Sequence, residues 1–118
     1  MLVRPQSSPI LNAHFLLIDA PGDQGDEALM QAVGQLLGLN RFERDEVLCP
    51  TACRPVTIYR GRFRRAQITI GGELYLATPI DYRVHVQVHA GQAKHAEQIA
   101  ARFLDQLHGA GYRAQLLS

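Results

Sequence analysis

The sequence predicts an α+β protein, and three observations carry that expectation. Two segments repeat their apolar residues near every 3.6 positions, and a central stretch between them alternates with a period of 2. Short apolar runs precede the first helical segment and follow the second, giving the order β-α-β-β-β-β-α-β. The chain has 118 residues, 47% hydrophobic and 19% charged, which suits one globular domain with a core of its own. Removing one central strand pair leaves βαββαβ, the order of ferredoxin-like folds. The expectation is therefore a ferredoxin-like βαββαβ sandwich with an extra central hairpin, and two helices on one face of a mainly antiparallel sheet.

Each element has its own justification. Residues 1–11 read as an extended N-terminal arm, because Pro5 and Pro9 restrict themselves and their predecessors. Residues 12–118 then form a single α+β domain. Ala13 to Ile18 is a short apolar run of the buried-strand kind. A loop with Pro21, Gly22 and Gly25 follows, and Asp26 is placed to cap a helix carrying Leu29, Met30, Val33, Leu36 and Leu37. Gly38 or Asn40 is suited to end it. The polar stretch from Asn40, with Pro50 and Pro55 beyond it, reads as loop or irregular edge. Val56–Tyr59 and Phe63–Ile70 read as strands, with Gly61 as a turn or bulge between them. Gly71-Gly72 between β-prone runs predicts a two-residue hairpin returning through Glu73–Thr78. In Tyr82–His89, Val84, Val86 and Val88 claim the core side, leaving Arg83, His85, Gln87 and His89 on the other. Residues 92–108 form an amphipathic helix with the stripe Ala96, Ile99, Ala100, Phe103, Leu104 and Leu107, stopped by Gly109 and Gly111. Tyr112–Leu117 is the last strand.

Charge is segregated although it nearly cancels, at a formal +1. Residues 19–46 hold seven acids against Arg41 and Arg44, whereas residues 54–65 hold five arginines and no acid. These segments are expected to meet, within the chain or between subunits. The near-neutral balance excludes a globally basic nucleic-acid binder. No basic start with a long apolar run marks an export signal, and no apolar run is long enough for a membrane span, so a cytoplasmic protein without membrane contact is expected. A bacterium or its mobile elements is the expected origin of so small and unfamiliar a frame.

Three groups of residues are candidates for function. Arg83, His85, Gln87 and His89 face away from the expected helices and make a tentative ligand-binding surface. Tyr59, Arg60, Arg62, Arg64 and Arg65 combine cations with an aromatic ring, the residue types that bind single-stranded nucleic acid. Alternation sends these arginines to both faces, and pairing with acids competes with nucleic acid for them. Cys49 and Cys53 with His85 and His89 imitate a zinc set. On a strand, however, residues four apart are separated by about 13 Å, too far for two bonds of about 2 Å to one ion. One histidine with both cysteines and His14 or His95 is the remaining combination; no metal or cofactor is expected. Asp19 is the carboxylate nearest in the chain to serve a catalytic histidine, yet no nucleophile–base spacing, Walker sequence or hydrolase elbow is present. No catalytic residue is therefore assigned.

Residues 82–88, the helix Ala93–Leu107 and Gly111-Tyr112-Arg113-Ala114 resemble one half of a SPOR domain, a peptidoglycan-binding module of ferredoxin-like topology. The resemblance covers about a third of the chain and implies the fold. The function expected is a non-enzymatic binding or assembly module, a homo-oligomer through its open sheet face. One alternative is a nucleic-acid-binding protein using the Arg-rich hairpin 59–65. Another is a small-molecule binder or small enzyme using His85 and His89. The partner first expected is a second copy of the chain; a protein or small molecule comes next, and nucleic acid is less favoured.

Overall fold

β1 (Leu11–Asp19) is apolar almost throughout because both of its faces are buried. Ala13, Phe15 and Leu17 point into the core, while Leu16, on the opposite face, is also fully enclosed. In the computed structural model, residues 11–22, 25–49, 54–72 and 82–117 are described, apart from the side chains at positions 11, 12, 49 and 54. The expected arm and the strand Glu73–Thr78 lie essentially outside those residues.

The elements that follow are α1 (Asp26–Leu37), β2 (Asn40–Cys49), β3 (Arg54–Phe63), β4 (Ala66–Gly71), β5 (Val84–Ala90), α2 (Ala93–Gly109) and β6 (Arg113–Leu116). Gly25, not Asp26, is the N-cap of α1; Asp26 and Glu27 lie in the first turn, where the helix dipole favours acids. Gly38 ends α1 at φ 70°, a left-handed backbone that glycine takes without strain. α2 runs through Gly109 and is followed by Gly111 at φ 90°.

The strands form one six-stranded antiparallel open sheet in the order β2-β3-β4-β5-β1-β6. Both helices pack on one face. There Phe15, Leu17, Ile68, Ile70 and Val84–Val88 at alternate positions meet Leu29, Val33 and Leu37 of α1 and Ile99, Phe103 and Leu107 of α2. The α+β class, the two helices and the antiparallel sheet are as expected; the strand order is not that of a ferredoxin-like sandwich. The additional strand pair, β2-β3, lies at the outer edge of the sheet rather than in its centre.

Locally, the structure differs from expectation at three places. Residues 40–49, expected as loop or irregular edge, are an edge strand with a register irregularity between Asn40 and Glu43. Their charges suit an edge strand, where Phe42 alone supplies a large apolar anchor by stacking on Tyr59 at 5.1 Å. Gly61 does not turn the chain. It sits inside β3, where a side chain would crowd Leu39 at 2.9 Å. Finally, β4 pairs with β3 on one edge and with β5 on the other, and the expected return strand Glu73–Thr78 lies outside the described residues. The tight turn is Arg64-Arg65, closed by the Phe63–Ala66 pair, and Arg64 takes the left-handed conformation at φ 55°.

Candidate functional site

The face opposite the helices is ordered by the strand register. Ile58, Gly71, His85 and Leu16 form one row across β3, β4, β5 and β1; Arg60, Thr69, Gln87 and His14 form the next; Arg62, Gln67 and His89 form a third. Alternation thus places His85, Gln87 and His89 together, as the sequence predicts. His85 is nevertheless only 4% exposed. It lies over Gly71, where a Cβ would come within 2.8 Å of its Nε2. Its Nδ1 is 3.3 Å from Nε2 of His14, so one ring donates a hydrogen bond to the other. Burial holds His14 below the usual histidine range, and the charge of His89 adds to this. Burial lowers His89 as well. Sequence reasoning named His14 only as a possible metal ligand; its place beside His85 depends on the β1–β5 register, which a single sequence does not display.

Arg83 leaves this face. It precedes β5, its backbone N–H bonds to the Leu17 carbonyl, and its guanidinium lies 3.5 Å from Asp26 at the start of α1. Asp19 does not serve the histidines: its Oδ1 accepts from the backbone N–H of Ala20. Cys49 has no described side chain and Cys53 lies outside the described residues. Among the described residues no group of three or more His, Cys, Asp or Glu is placed to hold a metal ion.

The arginine-rich segment divides three ways. Tyr59 belongs to the core. Its hydroxyl donates to Glu27 at 2.8 Å and accepts from Gln31 at 2.7 Å, so its ring is closed to any base. That bond and the one from Arg44 hold the Glu27 carboxyl below its ordinary range. Arg60 pairs with Asp45 at 3.2 Å, which is how the acidic and basic segments meet within the chain. Glu27 and Glu46 engage Arg44, and Asp26 engages Arg83. Arg62, Arg64 and Arg65 form no ion pair among the described residues.

Arg64 and Arg65 instead form one wall of a cleft of about 680 Å³. Lys94, His95 and Gln98 of α2 form the other, joined by Gly91 and Gln92, which lead into the helix. Among the described residues, four basic side chains line the cleft and no acid does. No side chain caps α2, its first turn contains no acid, and Ala96 donates the first intrahelical bond, to Gln92. The amides of Ala93, Lys94 and His95 are therefore left without helical acceptors, and the positive end of the helix dipole adds to the cations. His95 Nε2 is buried without a hydrogen-bond partner. The β4–β5 pairing joins these walls: Gln67 opposite His89 brings the hairpin tip to the strand end from which α2 starts. The sequence separates Arg65 from Lys94 by 29 positions, so only that register reveals the site.

No protein-family model matches the chain, and no curated protein is significantly similar to it.

Proposed function

We propose that this protein is a non-enzymatic binding module whose cleft between the Arg64-Arg65 turn and the first turn of α2 takes a phosphate-bearing ligand. The observation that carries this reading is the meeting, in one concavity, of cations that form no ion pair among the described residues with helix amides that have no helical acceptor. Arginine offers a planar fork to phosphate oxygens, lysine a compact charge, and helix amides a set of aligned donors. Arg64 supports the reading in a second way. A non-glycine residue in the left-handed region costs about 1 kcal/mol or more, and at this turn the arginine side chain is kept at that cost.

Assembly through the open sheet face has less behind it. The described residues there are mostly polar, and Ile58 and Leu16 are already buried. A role for His85 as an exposed ligand is likewise weakened by its burial.

The test is an amide-shift titration of the labelled protein with inorganic pyrophosphate. Shifts are expected at Arg64, Arg65 and Ala93–His95. The Arg64→Gly variant should unfold at an equal or higher urea concentration and yet bind more weakly, as should Lys94→Ala. Absence of saturable shifts, or shifts centred elsewhere, would overturn the proposal.

A further inference from the structure

The cleft is one part of a longer cationic track. Phe63, half-buried against Phe103, lies under two guanidinium groups, that of Arg64 at 5.1 Å and that of Arg102 at 5.8 Å. Arg102 lies two helical turns beyond Lys94, with Gln98 between them at the i+4 position. At 1.5 Å per residue the two cations are about 12 Å apart along the axis of α2. A single phosphate group cannot touch both, but successive phosphates of one strand can. Arg102, like Arg64, Arg65 and Lys94, forms no ion pair among the described residues.

Resting on the phosphate-binding reading above, we infer that the ligand is the sugar–phosphate backbone of a single-stranded nucleic acid, laid along Arg64, Arg65, Lys94 and Arg102 and held without regard to base sequence. Concavity selects a single strand, because three of the four cations, Arg64, Arg65 and Lys94, line a groove between hairpin and helix rather than a convex ridge that could enter a duplex. The aromatic residues account for the lack of base selection. Tyr59 is buried with its hydroxyl engaged, and Phe63 is covered by the two guanidinium groups, so neither ring is free to stack on a base. Recognition then rests on phosphate contacts, which position a strand without reading it. Three acids of the first half of the chain are engaged away from this track: Asp26 with Arg83, Glu27 with Arg44, and Asp45 with Arg60.

Fluorescence anisotropy of labelled single-stranded oligonucleotides of several sequences, across a salt series, tests the inference beside the pyrophosphate titration. Four phosphate contacts on a single strand predict that the logarithm of the affinity falls with the logarithm of salt at a slope of about −3. Affinity should be similar for all sequences and weaker for a duplex. Arg102 lies outside the cleft, so Arg102→Gln should lower oligonucleotide affinity severalfold, reduce the slope by about 0.7, and leave pyrophosphate binding unchanged. Pyrophosphate binding without oligonucleotide binding at low salt would overturn this inference and leave the cleft standing; failure of both would overturn both. A preference for duplex, strong base selection, or indifference to Arg102→Gln and Arg64→Gly would each overturn the inference as well.

Discussion

Phe42 of β2 stacks on Tyr59 of β3 and fills the space above Gly34 in the middle of α1. A Cβ at Gly34 would overlap the Phe42 ring, and the stack leaves that ring no room to retreat. Two effects of Gly34→Ala therefore compete. Alanine favours the helix by about 1 kcal/mol, whereas overpacking a buried contact costs about 1–3 kcal/mol. The overlap is with the ring itself, so the steric term prevails and Gly34→Ala is expected to destabilise the protein. With Phe42→Ala already in place the same substitution should become neutral or stabilising. Urea unfolding of the four members of this cycle measures the difference, and an equal effect of Gly34→Ala in both backgrounds would refute the packing argument. A glycine inside a strongly periodic helix is the only mark of this contact in the sequence, and it does not name its partner.

At the scale of elements, legibility follows how many partners an element needs. α2 is written in its own residues: Ala96, Ile99, Ala100, Phe103 and Leu107 repeat at the helical period and are the residues that become buried. β5 is equally plain, since its valines alternate with polar residues. β2 is not legible, because its charges are those of an edge and its anchor, Phe42, finds its place only against Tyr59 of another strand. The cleft between the hairpin and α2 is hidden for a similar reason. The arginines stand out in the sequence, but Lys94 and His95 join them only through the β4–β5 register. Register also produces the histidine pair between β1 and β5, and with it a pH dependence. His14 and His89 are held below their ordinary range in the folded chain, mainly by burial. In the unfolded chain they protonate near ~6.5. On acidification the unfolded chain thus takes up more protons, and stability falls as pH drops through ~6.5, continuing until the lower folded values are passed. Urea midpoints at pH 7.5 and 5.5 bracket this window and keep Glu27, whose effect begins at lower pH, out of it. The midpoint of His89→Gln should drop less than that of the parent over this interval, and an equal drop would show that these rings are not its source.

The whole molecule sorts its charge along the strand direction. The hairpin tip, the end of β5 and the start of α2 gather, at one end of the sheet, cations that form no ion pair among the described residues, while Asp19, Asp26 and Glu27 lie at the other, at the end of β1 and the start of α1. No helix among the described residues is long and apolar enough to cross a membrane. The sheet does not close, and among the described residues no further strand pairs with the outer sides of β2 and β6. Each side also exposes a leucine, Leu48 at 68% and Leu116 at 49%. An open edge with an exposed apolar residue is a template for pairing with another chain, and charged side chains are the usual protection. β2 carries Arg41, Glu43, Arg44, Asp45 and Glu46, whereas the four residues of β6 include one charge, Arg113. Protection by charge therefore rests chiefly on β2. Replacing Glu43 and Glu46 by valine should create a flatter, more apolar edge around Leu48 and promote concentration-dependent association through β2. Light scattering on the variant and its parent over the same concentrations checks this, and raising the salt should shift the parent in the same direction, because screening weakens exposed charges. A variant whose mass stays that of the parent at every concentration would show that strand twist, and not charge, is what guards this edge.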